Sequence, residues 1–254
     1  MSCEVLGATG SQPGRGRACS GYLMTSGDTT VLVDCGFGIA TRLTSLMDPA
    51  DLDAIFITHR HLDHAIDLLG IWAVLRRVDA QVPVHVADEV QQTVEALVTP
   101  HRLETFRKRL PMTTLAAGDV VEVGDLQVAA HFSNHGVPTL SLRVTEPGGG
   151  VLAYSSDSAG GGDLMACARD ADVFLCEASW QDGEEREGDG HMTARRAGEV
   201  ASEAGVGQLV LTHLRPHLDP SVSIEQAARS WSGPVVVAHE GMRLEVDGST
   251  SAVS

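Results

Sequence analysis

The sequence predicts an α/β fold in which two β-sheets pack face to face and helices cover their outer surfaces. Two observations support this class: strands alternate with helices in the last third of the chain, and both halves run from hairpin-like strands into strand–helix units. A length of 254 residues with 43% hydrophobic residues fits one unit with a sizeable core, built by aliphatic side chains because only 4% of residues are aromatic. We expect a single domain over residues 1–247 and a disordered tail over 248–254.

The first half of the chain alternates short apolar runs with amphipathic stretches. The predicted strands are Glu4–Gly7, Gly21–Thr25, Thr30–Asp34, Leu52–Thr58 and Val82–Ala87, and the predicted helices are Ile39–Met47, Asp63–Arg77 and Asp88–Val98. Thr30–Asp34 is a continuous apolar run, which is typical of a strand covered on both faces. Asp88 is the expected N-cap of its helix.

Residues 99–112 carry no clear periodicity, and we assign them no element. A basic cluster from Arg102 to Arg109 lies there. We expect it to form a solvated helix face, with a position at a substrate mouth or a dimer interface as the alternatives.

The second half begins with two predicted hairpins and continues with regular strand–helix alternation. The predicted strands are Val120–Val123, Leu126–Phe132, Leu140–Thr145, Val151–Tyr154, Val173–Glu177, Gln208–Thr212 and Val235–His239, and the predicted helices are Asp163–Arg169, Thr193–Ala204 and Ser221–Ser230. Such alternation places helices on the faces of sheets.

Composition narrows the class of partner. A formal net charge of −16 repels a long polyanion, so we expect no long nucleic acid as partner. No apolar stretch is long enough to cross a bilayer and no signal peptide is recognisable, so we expect a cytoplasmic protein without a membrane partner. Five scattered cysteines without CxxC spacing indicate reduced packing residues.

The run His59-Arg60-His61-Leu62-Asp63-His64 follows a predicted strand and is dense in metal ligands. His59 and His61 can point the same way towards one ion, while Asp63 and His64 can face a second. Imidazole and carboxylate ligands suit Zn²⁺, Mn²⁺ or Fe²⁺, and the lack of cysteine favours an open, catalytic site.

This HxHxDH run resembles the signature of the metallo-β-lactamase superfamily, whose fold is an αβ/βα four-layer sandwich. The family's other ligand positions are matched by His135, Asp157 and His213, each just after a predicted strand. The resemblance implies two divalent metal ions, with zinc the first choice and manganese or iron as alternatives. By the family pattern, one ion is held by His59, His61 and His135, the other by Asp63, His64 and His213, and Asp157 bridges them.

The family's chemistry implies that a hydroxide bridging the two ions attacks the substrate, with Asp63 orienting it or accepting its proton. Two further segments, one containing Glu177 and Ser179 and one reading Gly190-His191-Met192-Thr193, resemble elements of the phosphodiesterase branch that includes the tRNA 3′-end endonucleases (RNase Z). Glu177 can orient the imidazole of His191 and raise its basicity, which makes His191 a general acid for the departing oxygen.

We find no glycine-rich basic arm of the kind that tRNA processing uses, so the sequence favours a small phosphodiester substrate. The chain is also similar over nearly its whole length to compact atypical cyclic-nucleotide phosphodiesterases of this fold, which implies 3′,5′-cyclic nucleotides as candidates and a homodimer as the expected assembly. Three alternatives stay open: a carboxylic ester, lactone or thioester hydrolase of a biosynthetic pathway, a tRNA 3′-end endonuclease, and a metal-holding protein that binds a ligand without turnover. Ser156 stands where glycine is commoner in the family.

Overall fold

The computed structural model describes residues 1–186 and 188–248, so all of the predicted tail except Gly248 lies outside the described residues. Two seven-stranded sheets form the centre of the molecule. The first contains β1 (Ser2–Gly7), β2 (Gly21–Ser26), β3 (Thr29–Val33), β4 (Ala54–Ile57), β5 (Val84–Val86), β6 (Met112–Thr114) and β14 (Arg243–Glu245), in the order β14-β1-β2-β3-β4-β5-β6. The second contains β7 (Val120–Val123), β8 (Leu126–Phe132), β9 (Leu140–Thr145), β10 (Val151–Tyr154), β11 (Val173–Glu177), β12 (Gln208–Thr212) and β13 (Val235–Val237), in the order β13-β12-β11-β10-β9-β8-β7.

Both sheets are mixed, and they are built in the same way. Antiparallel pairs come first in each half, from β1 to β3 and from β7 to β10, and parallel pairs follow, from β3 to β6 and from β10 to β13. The parallel strands of each sheet therefore end at a common edge, where the loops that leave them can converge.

Eight α-helices among the described residues complete the layers. They are α1 (Ile39–Leu46), α2 (Leu62–Ala65), α3 (Leu68–Val78), α4 (Val90–Glu95), α5 (Leu103–Arg109), α6 (Leu164–Ala168), α7 (Ala194–Ala204) and α8 (Pro220–Ala228). Helices α6, α7 and α8 pack on the second sheet, whose outer face forms a separate buried cluster with them. The inner faces of the two sheets meet in the main core, where the rings of Tyr22 and Tyr154 lie 4.9 Å apart. The predicted αβ/βα sandwich is confirmed.

The long helix predicted over Asp63–Arg77 is wrong in one respect, because the structure divides it into α2 and α3 at Ile66 and Asp67. The backbone N–H of Asp67 donates to the carbonyl of Cys35, and its carboxylate accepts from the N–H of Ala40 at the start of α1. These tertiary bonds replace helix continuity and leave α2 as one turn that presents Asp63 and His64.

The helix predicted to start at Asp88 also differs. Glu89, with φ 66°, precedes the first helical residue, and the carboxylate of Asp88 accepts from the N–H of Glu89 rather than capping the helix. Within residues 99–112 the structure adds a 3₁₀ turn, Pro100–Arg102, before α5 and the short edge strand β6.

The basic cluster begins at Arg102, the last residue of the 3₁₀ turn, and continues along α5. It is mostly exposed, but it is not a purely solvated face. Arg107 donates to Glu95, with Nη2 2.6 Å from Oε2, while Arg109 is buried and pairs with Asp79.

All five cysteines are free and buried, as predicted. Within residues 1–186 and 188–248, no helix has the length and apolar character needed to cross a bilayer.

Candidate metal centre

The structure brings every predicted ligand together at one edge of the sandwich. His59 follows β4, His135 follows β8, Asp157 follows β10, and His213 follows β12, so both sheets contribute. His61 occupies the N-cap position of α2, and the single turn of that helix carries Asp63 and His64. The short distances between their ligating atoms define two adjoining pockets.

The first, which we call the histidine pocket, is formed by His59, His61 and His135. The Nδ1 of His61 lies 3.1 Å from the Nε2 of His59 and 3.3 Å from the Nε2 of His135. One carboxylate oxygen of Asp157, Oδ2, lies 3.4 Å from His59 Nε2 and 3.7 Å from His135 Nε2.

The second, which we call the mixed pocket, is formed by Asp63, His64 and His213. The Nε2 of His213 lies 3.2 Å from the Nε2 of His64 and 3.1 Å from the Oδ2 of Asp63. The other oxygen of Asp157, Oδ1, lies 3.2 Å from His64 Nε2 and 3.4 Å from His213 Nε2. Asp157 thus divides its two oxygens between the pockets.

The donor set fits divalent cations. His59, His64, His135 and His213 each place Nδ1 beside an oxygen atom outside the pocket, which leaves Nε2 with its lone pair directed inwards. Asp157 Oδ1 is buried without a hydrogen-bond partner. Because a buried carboxylate oxygen without a partner is costly, this atom is the expected position of a metal ligand.

The histidine pocket is supported from outside by neutral oxygen atoms. His59 Nδ1 lies 3.2 Å from the hydroxyl of Thr58, and the hydroxyl of Ser156 donates to that same oxygen at 2.7 Å. His135 Nδ1 donates to the carbonyl of Gly190 at 2.9 Å. A Cβ at Gly190 would lie 2.7 Å from His135 Nδ1, and the residue has φ +79°, so both space and backbone conformation require glycine.

The mixed pocket is supported by a carboxylate. Asp34 accepts from His64 Nδ1 at 2.7 Å, from the backbone N–H of Thr58 at 2.9 Å and from the hydroxyl of Tyr154 at 2.9 Å. Sequence reasoning missed this role, because Asp34 was assigned only to the end of a strand before a turn. Its position directly after β3 was the available signal.

A second support of the mixed pocket runs through Ser179. Its hydroxyl donates to Glu177 Oε2 at 2.7 Å, so the oxygen accepts from His213 Nδ1 at 2.8 Å. At the front of the same pocket, the backbone N–H of Ser11 donates to Asp63 Oδ2 at 2.8 Å. Ser179 belongs to the segment that resembles the phosphodiesterase branch, but its contact with His213 was not predicted, and Ser11 was not singled out from the sequence.

Glu177 and His191 lie beside both pockets. His191 Nδ1 donates to Glu177 Oε1 at 2.9 Å and lies 4.0 Å from Asp157 Oδ2. Glu177 is fully buried and also accepts from the backbone N–H groups of Ser158 and Ser179. Burial opposes charging of His191, but the Glu177 carboxylate outweighs it and raises the pKa of His191 to about 9.

The pKa values of His59 and His64 are shifted in opposite directions, because different charges surround the two rings. Burial, together with the charge of His64, lowers the pKa of His59 to about 4. Burial disfavours the charged form of His64 as well, but the carboxylates around it, led by Asp157 and Asp34, raise the pKa of His64 well above its usual value. The mixed pocket is therefore the more anionic of the two.

Comparison with known proteins identifies the family to which the chain is similar. A family model described as the Beta-lactamase superfamily domain matches residues 29–214, more than half of the chain. An uncharacterized protein of Mycobacterium leprae is 32% identical over 95% of this chain and 87% of its own length. The probable metallo-hydrolase YhfI of Bacillus subtilis is 27% identical over 96% of this chain and 100% of its own length, and a ribonuclease Z of Methanopyrus kandleri is 30% identical over 96% and 97%.

Solved structures give the same fold. The crystal structure of Bacillus subtilis YhfI matches with a TM-score of 0.87 and 26% identity, covering 96% of this chain and 98% of that one. Human tRNase Z, short form, matches with a TM-score of 0.76 and 20% identity, covering 97% and 99%. At that identity the second likeness concerns the fold alone.

Proposed function

The chain belongs to the β-lactamase superfamily and is a metallo-hydrolase, and from this premise we propose that it is a binuclear phosphodiesterase acting on a small phosphodiester, with 3′,5′-cyclic nucleotides as the first candidates. The observation that carries the proposal is the hydrogen bond between His191 and the fully buried Glu177 beside the two pockets. An ester with a poor leaving group needs a proton at the departing oxygen, and this pair supplies a positioned donor.

The two pockets are the proposed sites of two divalent ions, Zn²⁺ first and Mn²⁺ or Fe²⁺ as alternatives. When bound, such a pair supplies Lewis acidity and lowers the pKa of water at the site. His59, His61 and His135 would hold one ion, Asp63, His64 and His213 the other, and Asp157 both. Asp63 reaches His213 Nε2 and accepts from Ser11, so its carboxylate is oriented to hold or receive a proton at the mixed pocket.

His191 is proposed as the general acid. With Nδ1 bound to Glu177, its Nε2 is the free ring nitrogen, and the carboxylate keeps the imidazole protonated at neutral pH. The proton leaves from Nε2 towards the oxygen of the leaving group, and Glu177 stabilises the orientation of the ring throughout.

Small substrates are favoured over tRNA by charge and by chain length. The alignment with the Methanopyrus kandleri ribonuclease Z extends over 282 positions, more than the 254 residues of this chain, so that enzyme carries inserted segments. The net charge of −16 also disfavours a long polyanion. Since that relative is 30% identical over nearly the whole chain, tRNA 3′-end cleavage is the second candidate.

The test compares substrates with Zn²⁺ or Mn²⁺ added: cyclic AMP, bis-p-nitrophenyl phosphate, a precursor tRNA, and a thioester and a lactone. We expect hydrolysis of the first two. Turnover of only the thioester or lactone would refute the proposal, cleavage of the precursor tRNA alone would select the second candidate, and binding without turnover would indicate a ligand-binding protein.

The His191→Ala variant tests the assigned chemistry. Loss of a general acid should lower kcat for cyclic AMP by about 10²- to 10⁴-fold. His101→Ala, at an exposed histidine in the turn Pro100–Arg102, is the control and should leave kcat unchanged. Equal loss on a p-nitrophenyl ester, which needs no acid, would argue against this role.

A further inference from the structure

Three loops meet at the outer side of the proposed general acid: residues 178–180 after β11, residues 188–192 before α7, and residues 213–215 after β12. Inside the site, the Ser179 hydroxyl already joins them, since it lies 3.2 Å from His191 Nδ1 and 2.8 Å from His213 Nδ1. A second set of contacts joins the same loops further from the pockets, and the proposed reaction does not use it.

Asp189 is the centre of this second set. Its Oδ1 accepts from the backbone N–H of His191 at 3.2 Å, and its Oδ2 accepts from the indole Nε1–H of Trp180 at 2.7 Å. Oδ2 also lies 3.8 Å from the Nη2 of Arg215. One carboxylate therefore connects the backbone of His191 to both neighbouring loops.

Trp180 also bonds to the backbone that follows His191. Its backbone N–H donates to the carbonyl of Met192 at 3.1 Å, and its carbonyl accepts from the N–H of Ala194 at 3.0 Å. Trp180 is only 4% exposed. The position of Trp180 is thus fixed by bonds before and after the histidine.

Arg215 covers the indole. Its guanidinium carbon lies 3.8 Å from the centre of a Trp180 ring, and its buried Nε has no hydrogen-bond partner. The stack over the aromatic face, a favourable cation–π contact, therefore orients this side chain together with the weaker contact to Asp189. Arg215 stands two residues after the ligand His213, which anchors the arrangement to the mixed pocket.

The loop between Trp180 and His191 needs such support. Gly183, Gly188 and Gly190 all have φ between 78° and 88°, and the described residues Asp182–Arg186 are largely exposed. Glycines in this conformation give the chain little local preference for one path. Glu177 and Ser179 hold the ring of His191, while bonds from His135 to the carbonyl of Gly190 and from Trp180 to the carbonyl of Met192 hold the backbone on either side. Asp189 adds the bond to the backbone N–H of His191 itself.

We infer that Trp180, Asp189 and Arg215 form a brace that positions His191 against the leaving group. This inference rests on the proposed function. The three residues are positioning residues: they act through the backbone of His191, so their loss should affect proton donation and spare metal binding.

The experiment uses two phosphodiesters, cyclic AMP, whose leaving group is an alkoxide, and the p-nitrophenyl ester of thymidine 5′-phosphate, whose leaving group needs no proton. In Trp180→Phe, which keeps a ring for Arg215 but loses the indole N–H, and in Asp189→Ala, we expect kcat for cyclic AMP to fall by about 10- to 100-fold. On the p-nitrophenyl ester, kcat should stay within about twofold, and KM and metal content should be unchanged.

The matched control is Trp231→Phe, which also removes one indole donor, the bond from Nε1 to the carbonyl of Pro234 at 3.2 Å, but outside the brace. Its kcat and KM for both esters should equal those of the unmodified protein. Arg215→Lys, which keeps the charge but loses the flat stack, should give a smaller change than Asp189→Ala in the same direction.

A readout independent of activity is amide hydrogen exchange over residues 188–192. In the metal-loaded protein, Asp189→Ala should raise this exchange at least about tenfold while exchange in β11 and β12 is unchanged. One outcome refutes the brace and leaves the proposed function standing. In it, His191→Ala lowers kcat for cyclic AMP more than for the p-nitrophenyl ester, while the brace variants have the same kcat values and amide exchange as Trp231→Phe. If His191→Ala does not distinguish the two esters, or neither ester is hydrolysed, the proposed function fails and the brace has no catalytic role.

Discussion

The histidine pocket and the mixed pocket share Asp157, but they differ in charge and in what stands behind their ligands. Around the histidine pocket, the ring nitrogens that face outwards meet a hydroxyl and a carbonyl, and His61 is half-buried. In the mixed pocket all ligands are buried, Asp63 adds a carboxylate, and Asp34 stands behind His64.

From this contrast we predict that the two pockets, as proposed metal sites, differ in their affinity for a cation. A carboxylate behind a ligating histidine raises the basicity of the ring, and added negative charge favours the cation directly. We therefore expect the mixed pocket to hold its ion more tightly and the histidine pocket to release its ion first when a chelator is added.

The largest effect should come from the residue that the pockets share. Asp157→Asn replaces the carboxylate, whose two oxygens face the two pockets, by a neutral amide with one oxygen. We therefore expect kcat to fall by about 10³-fold or more and bound metal to drop below one ion per chain. Elemental analysis of the purified protein and steady-state kinetics measure both. Asp163→Asn, at an exposed carboxylate, is the control; equal losses in the two variants would contradict the shared role.

A smaller effect is expected from Asp34→Asn, which removes the charge behind His64. Metal affinity of the mixed pocket should fall by about 10- to 100-fold, and the order of release on chelation should then become less distinct or reverse. Competition with a chromogenic chelator measures the release of the ion from each pocket. Tyr154→Phe removes one of the bonds to the same carboxylate, 2.9 Å long, and should change this release less.

The histidine pocket is perturbed separately by Gly190→Ala. The new methyl group would lie 2.7 Å from His135 Nδ1, so we expect His135 to move, with roughly tenfold weaker binding of the first ion released. Gly188→Ala is a matched control, because Gly188 has nearly the same φ of +78° but open space around its Cβ position. If both variants lose metal equally, backbone strain rather than His135 is responsible.

The smallest effect concerns Ser156, which has φ 53° and bonds to Thr58. Ser156→Gly relieves the strained backbone while losing the bond, whereas Ser156→Ala keeps the strain. We expect the glycine variant to be about 1 kcal/mol more stable to urea than the alanine variant, with kcat within about threefold of the original for both. Greater stability of the alanine variant would show that strain is unimportant here.

The sequence was most informative where ligands follow strands. The run from His59 to His64 could be identified because its strand end and ligand chemistry are local features, whereas His135, Asp157 and His213 were identified by resemblance to the metallo-β-lactamase superfamily. What stands behind these ligands could not be predicted, since Asp34 meets His64 only through folding of the first half and reaches Tyr154 across the interface between the two sheets. Such contacts depend on tertiary packing.

The errors in the fold have the same origin. Periodicity continued from Asp63 to Arg77, and only the bonds of Asp67 to Cys35 and Ala40 interrupt the helix. The edge strands β6 and β14 are three residues long, and their pairing partners are distant in sequence, so no local pattern marks them. The hairpins, whose strands pair across short turns, were predicted within a few residues.

The burial of all five cysteines has a practical and a biological consequence. Burial raises the pKa of the Cys3 and Cys167 thiols to about 12, so at neutral pH these groups carry almost no reactive thiolate. Peroxides and alkylating reagents therefore find no ready target, and with cysteine absent from both pockets, oxidation of a thiol would not release a metal ion. We therefore expect that the protein can be prepared without dithiothreitol, a reagent that itself competes for zinc, and that thiol oxidation will not disrupt the two pockets.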